Sequence, residues 1–509
     1  MTTWDEFVAD PWGKGKDHEA FKASHLAMKP APEYASSEVL LSGLYRHIGF
    51  EGVRESEVPE NGRRLLKQVE AGKTPADAKL PAEQWARVLH GALESPKLPN
   101  QSAKRFLQLT PVSPEVARYS GSARLAGSPW SPGDLVERMV LLGSPSLESA
   151  GQLWSNLFNA LAVSRGDDVW ARWVDLELSS WLPAGGGGQF SLQPLSGKWP
   201  EEFLASDGRG RQFPARQFVR DLEAVIEAKG FMTRRQWVTL LEAVLRIGAV
   251  SHVLWICDVN QAAWSAVKAT LLGGDPPSAG QWSIFPSQLN YFPYNSAAMD
   301  NAKLLVSRYL HARLGLNMVL WGLEAIGAPF RTPLSSQAAV QELVSTVALR
   351  REKLKKHGVL ATWDALQASE ARTLSCAKGA GGNMLEFVRH AAGQRQTARE
   401  VLRGYDQSYI FRKKGQDKRA RWVVALGPVA VLAVAHCCLY ATGGPRSVHR
   451  LCDHLAQYGI GISKDDVASS DLGRQLRLLG LVMDSPDAES GMLVNPPFLK
   501  TMNAGREIA

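Results

Sequence analysis

The stretch from Gly427 to Gly459, "GPVAVLAVAHCCLYATGGPRSVHRLCDHLAQYG", decides how the chain is read. Its first half is apolar enough to raise the question of a membrane span. Pro428, however, suits the first turn of a helix, and Gly443-Gly444 ends one. That leaves about 14 helical residues, short of the ~20 a span needs, and His436 lies among them. A buried core helix is therefore expected, and no membrane partner. The second half, "RSVHRLCDHLAQYG", places Val448, Leu451, Cys452 and Leu455 on one face of a second helix.

Downstream, "SSDLGRQLRLLG" (Ser469 to Gly480) has a serine at the cap, Asp471 in the first turn and a terminating glycine. Two short apolar strands follow, Leu481 to Met483 and Met492 to Val494, around a turn. Helix, helix, helix, hairpin is the order of a winged helix-turn-helix, and residues 423–509 resemble such a module in pattern. The resemblance implies a third helix in the major groove of DNA, with Arg474, Gln475 and Arg477 reaching base edges or phosphates. The turn between the strands is acidic (Asp484, Asp487, Glu489), which suits a protein partner better than a DNA backbone.

Upstream lies "YDQSYIFRKKGQDKRARW", Tyr405 to Trp422. Arg412, Lys413, Lys414, Lys418, Arg419 and Arg421 are interleaved there with Tyr405, Tyr409, Phe411 and Trp422. Such a cluster neutralises phosphates and releases counterions, while its aromatics can stack on unpaired bases. Arg395, Arg399 and Arg403 recur every four residues, which predicts a helical stripe extending the same surface. From Arg350 to Arg421 there are seventeen Lys/Arg against seven Asp/Glu. This local excess is larger than the +8 of the whole chain, so the positive balance sits in one segment. Charge so concentrated points to a polyanionic partner, DNA or RNA. The competing expectation is a solvated helix face whose aromatics belong to the core.

The remainder reads as a helical body. "AEQWARVLHGAL" sets Trp85, Val88, Leu89 and Leu93 on one face. "TRRQWVTLLEAVLRIGAVSHVLWIC" opens on Thr233 as an N-cap and is nearly continuously apolar on one side. The glycines at 185–188 interrupt regular structure; Gln189-Phe190 follow where a phosphate-cradling loop would need Lys-Ser/Thr. The Pro- and aromatic-rich run from Gly273 to Ser296 is a long loop whose rings should pack against something. At 509 residues, with 45% apolar and 21% charged residues, the chain exceeds one ordinary core.

The expected fold is thus mainly α and multi-domain. Residues 1–127 read as an N-terminal helical and loop region, 128–184 as a helical block and 185–210 as a glycine-rich loop or linker. Residues 211–345 form a helical body, 346–422 a basic helical segment, and 423–509 the winged-helix-like domain.

No catalytic class finds its motif. The sequence lacks GxxxxGK[ST], HExxH, GxSxG and a dinucleotide fingerprint. Asp221, Glu227 and Lys229 have nuclease-like identities, but on a helix where a nuclease needs strands. His436, Cys437, Cys438, His449, Cys452 and His454 supply zinc-ligand types without a CxxC pair, so no metal and no cofactor are expected. Five cysteines do not make a disulfide framework, and "MTTWDEFVADPWGKGKD" has no apolar h-region, so a reducing cytoplasm is the default. The function expected is that of a non-catalytic nucleic-acid-binding scaffold or accessory subunit, with DNA favoured and other protein subunits as partners. In general appearance the chain is similar to large proteins of bacterial defence and DNA-processing complexes, although no motif carries that association. The alternative is a protein–protein scaffold with no nucleic-acid contact.

Overall fold

The computed structural model of the chain describes residues 3–28, 37–53, 56–97, 107–121, 132–182, 188–200, 213–277, 282–397, 405–415, 420–442, 444–465, 467–483 and 492–498. It is mainly helical, with only short strands. The body is built from α1 (Ser37–Gly49), α2 (Pro214–Ala228), α3 (Arg234–Leu271), α4 (Ala298–Ala325), α5 (Gln337–Lys356) and α6 (Gly379–Ala392), with shorter helices between them.

Helix α3 organises the rest. Thr233 and Gln236 form a reciprocal capping box at its start, satisfying backbone N–H groups that a helix terminus leaves open. From there it runs 38 residues. It is the one described helix long and apolar enough to cross a membrane, and the window that qualifies is wholly buried inside the protein. Helices α1, α2, α4, α5 and α6 all pack against it. Two glycines permit close approaches at this helix. A Cβ at Gly315 of α4 would stand 2.3 Å from the Trp264 indole, and one at Gly248 of α3 would stand 2.3 Å from the Phe218 ring.

Most of the buried apolar side chains join into one contiguous core from Phe7 to Val494. A smaller second cluster gathers Trp85, Leu89, Leu93 and Trp181, with Trp85 stacked on Trp181 at 5.9 Å. The helix carrying Trp85 changes to π geometry at Leu89. The long aromatic loop does pack: Phe285, Tyr291 and Phe292 are buried. Its strand β1 (Phe292–Pro293) lies parallel to β5 (Ile460–Gly461).

Among its described residues, the segment expected to be a basic helical run is helical as far as Ala392 and not beyond it. Beyond it the chain forms an antiparallel ribbon, β2 (Phe411–Lys413) with β3 (Trp422–Val424), in which Phe411 pairs with Val424 and Lys413 with Trp422. The chain then enters α7 (Pro428–Leu439), with Pro428 in its first turn. Next come β4 (Arg446–Ser447), α8 (Val448–Ala456), β5, α9 (Asp471–Leu478), β6 (Val482–Met483) and β7 (Leu493–Val494). Strands β4, β7 and β6 form one antiparallel sheet in that order. Helix α7 packs on α2 and α3, so this C-terminal unit shares the common core. A buried polar staple fixes it further. Asp221 of α2 accepts from the Tyr458 hydroxyl at 2.7 Å and pairs with His454 Nε2 at 2.9 Å.

Candidate nucleic-acid interface

The ribbon stands out because its inner and outer residues differ so sharply. Phe411 and Val424 are fully buried, anchoring one end in the core. Trp422 and Val423 are half-buried, and the cations project beside them. Arg412 is 43% exposed. Lys413 places its ammonium 5.6 Å from the Trp422 ring centroid, and Lys414 and Arg421 are exposed. The Lys414 amide donates to the Arg421 carbonyl at 2.9 Å, holding the two cations side by side at the open end.

The outer face of α9 adjoins this ribbon. Ser470 caps the helix, its hydroxyl accepting from the Gly473 amide at 3.3 Å, and Leu472 and Leu476 are buried. Arg474 (70% exposed) and Arg477 therefore face outward. Asp471 joins the two elements. Its carboxylate lies 3.6 Å from the Arg412 guanidinium, pairs with Arg474 and accepts a hydrogen bond from Gln475 Nε2. Gln475 is thus half-buried and turned toward Asp471, whereas Arg477 bonds the Ala468 carbonyl at 2.8 Å. Arg412, Lys413, Lys414, Arg421, Arg474 and Arg477 lie on the ribbon and on the helix that Asp471 ties to it. A carboxylate so paired orients the guanidinium groups while cancelling part of their charge.

Arg395 belongs elsewhere. The four-residue recurrence predicted a helical stripe, but α6 ends at Ala392, and Gly393 turns into extended backbone. A Cβ at Gly393 would sit 2.4 Å from the Arg389 carbonyl and 3.0 Å from Trp422. Arg395 then folds inward, its amide on Asp406 Oδ2 at 2.7 Å and its guanidinium on His390 Nδ1 at 2.7 Å. Arg399, Arg403, Lys418 and Arg419 lie outside the described residues, as do the acidic Asp484, Asp487 and Glu489.

Arg395 borders a buried ionic cluster that the sequence alone did not reveal. The Lys97 ammonium faces Glu242 at 3.0 Å, Glu38 at 3.6 Å and Asp406 at 3.9 Å. Arg246 pairs with Asp406 at 2.7 Å and donates to the Ala391 and Gly393 carbonyls. Ser408 donates to Glu242 at 3.1 Å and accepts from Arg246 at 2.9 Å. Burial opposes the charge on Asp406, yet Arg246 and Lys97 prevail and hold its carboxyl down at about 2. Burial also opposes charge on Glu38, and there it wins over Lys97 and raises the pKa. The one sequence signal was Glu242 and Arg246, four residues apart within the apolar run of α3. Charges so placed need buried partners.

The cluster floors a cleft of about 580 Å³. Among the described residues no group of three His, Cys, Asp or Glu side chains is placed to hold a metal ion. Burial pushes the Cys437, Cys438 and Cys452 thiols up, away from the thiolate form.

Comparison with known proteins returns no matching family model and no matching curated protein.

Proposed function

We propose that the chain is a non-catalytic nucleic-acid-binding subunit, with DNA the favoured ligand. On this reading it engages the phosphate backbone through the β2–β3 ribbon and the outer face of α9. The C-terminal unit is then read as a winged helix-turn-helix. What supports this is its order, α7, β4, α8, β5, α9, β6, β7, with β4 paired to β7 in the sheet while β5 pairs with β1 outside it. In that fold the third helix is the one presented to a groove.

The observation that carries the proposal is the contact between Arg412 and Asp471. It joins two separately basic stretches of sequence into one surface, as a helix and flanking arm do when they follow a duplex. Backbone contacts dominate this reading, because Gln475 is turned inward and only Arg474 and Arg477 project.

A second reading, docking of a protein subunit, is favoured by a separate observation. Leu478 is 79% exposed at the end of α9, with Leu479 and Leu493 each 36% exposed nearby in the same unit. Exposed leucines of this kind suit an apolar partner.

Fluorescence anisotropy with labelled single- and double-stranded DNA and RNA separates the two. The wild type is compared with a variant carrying Arg412, Lys413, Lys414 and Arg421 as Gln, and with Arg474→Gln/Arg477→Gln. Nucleic-acid contact predicts that both variants weaken binding. Loss in the ribbon variant alone places the contact on the ribbon and excludes α9. Absence of binding at low salt removes the proposal and leaves the docking surface.

A further inference from the structure

The cleft above the ionic cluster shares no lining residue with the ribbon or with α9, and it is a feature separate from the proposed interface. A pocket of about 580 Å³ falls in the range of small-molecule sites. Its walls are mostly apolar, including Met232, Val429, Leu432 and the rings of Phe231 and Phe498. Those two rings stack at 6.1 Å with 17° between their planes, and Phe231 stays 45% exposed. At the rim, Arg235 donates to the Tyr405 hydroxyl at 3.0 Å and lies over its ring.

The floor restricts the chemistry that can bind. Lys97 and Arg246 pair with Glu38, Glu242 and Asp406, and the Arg395 guanidinium, turned to His390, adds its charge beside Glu38 and Asp406, so that three cations meet three carboxylates. A further buried charge would lack a partner, so the inner end of a ligand is neutral. Glu38 already accepts from Ser95 and Gln108 on its two oxygens, and both Asp406 oxygens are engaged by Arg246. Lys97 donates to Glu242 at 3.0 Å, with Glu38 and Asp406 as further counter-charges at 3.6 and 3.9 Å. Glu242 differs. Its Oε1 takes Lys97, Arg246 and Ser408, whereas its Oε2 has no hydrogen bond among the described residues. Among the described residues the floor therefore offers a ligand one open carboxylate acceptor, Glu242 Oε2.

We infer that this cleft binds a neutral nitrogen heterocycle of the nucleobase class, which donates a ring N–H or exocyclic amine to Glu242 Oε2 and rests against Phe231 at the mouth. A sugar or phosphate carried by the ring would point toward Arg235. The same chemistry has two sources, a free nucleoside or an unpaired base of a bound strand.

The test is isothermal titration calorimetry of the full chain with adenosine, guanosine, cytidine and uridine, and separately with short single-stranded oligonucleotides. Two variants accompany the wild type. Thr239→Trp fills the cleft from a half-exposed position, and Phe231→Ala removes a ring already partly in solvent. Circular dichroism and thermal melting verify that both variants fold. The inference predicts binding of at least one probe, abolished by Thr239→Trp and weakened roughly tenfold or more by Phe231→Ala, as loss of one base–aromatic stack implies. Binding of a nucleoside identifies a free-ligand site. Binding of oligonucleotides alone, weakened by the folded Thr239→Trp variant, identifies a base pocket. If no probe binds, or if Thr239→Trp leaves binding unchanged, the inference is wrong.

Discussion

Arg246 illustrates what a single buried charge demands of its surroundings. Its side chain is fully buried, and Asp406, Glu242, Ser408 and two carbonyls meet it. Arg246→Met would leave Asp406 and Glu242 short of their counter-charge in a dry site. Breaking such a pair costs about 3–5 kcal/mol, so a large fall in thermal midpoint is expected. The pH dependence has a definite sign. The folded Asp406 carboxyl titrates near 2, below its unfolded value of about 3.9. Its contribution is present above the unfolded value and is lost as pH falls toward 2. His252 acts at milder pH. It is fully buried, neither ring nitrogen has a hydrogen-bond partner among the described residues, and burial with Arg138 nearby lowers its pKa to about 3. Between its unfolded value of about 6.5 and that figure, the unfolded chain binds the extra proton. Stability therefore declines as pH drops below about 6.5. His252→Leu should flatten melting temperature against pH in this window and raise it by the equivalent of about 1 kcal/mol at neutral pH. An unchanged slope would contradict the assignment. Little of this was legible. Glu242 and Arg246 were visible as charges in an apolar helix, but Lys97 lies 145 residues from Glu242 and Asp406 lies 160 from Arg246. No local pattern encodes pairs that distant.

Among the elements, helix starts were the most readable feature. Thr233 and Pro428 open their helices as the cap and first-turn rules require. The ribbon was not readable, because strands of three residues leave no alternation to detect. Two-residue β4 is less visible still, yet it closes the C-terminal sheet. Arg395 shows how periodicity misleads: a spacing of four predicts a helix only while the backbone remains helical, and Gly393 ends it. The crossing of α3 and α4 gives a prediction for a pair of elements. Gly315→Ala gains about 1 kcal/mol of helix propensity. Its Cβ, however, would sit 2.3 Å from Trp264, and overpacking of a tight core costs about 1–3 kcal/mol. The clash is with a large ring that is itself only 3% exposed, so the sterics should win. A net loss of stability in chemical denaturation is expected, while a gain would mean that the α3–α4 crossing is looser than described.

For the molecule as a whole, the core from Phe7 to Val494 implies cooperation between distant parts of the chain. The C-terminal unit rests on α2 and α3 and is tied to Asp221 by His454 and Tyr458. Residues 423–509 expressed alone would expose that apolar face and lose the staple. They should show weak protection in amide hydrogen exchange compared with the same residues in the full chain. Strong protection in isolation would indicate an independently stable unit.

Contact with a nucleic-acid backbone is read most directly from the salt dependence of DNA affinity. Each phosphate neutralised adds about 0.9 to the slope of log affinity against log salt for duplex DNA. Replacing Arg412, Lys413, Lys414 and Arg421 by Gln should therefore reduce that slope by up to about 3–4 and lower affinity across unrelated sequences alike. A wild-type slope near zero, or a slope identical in the folded variant, would overturn the nucleic-acid reading and assign the positive surface to another role.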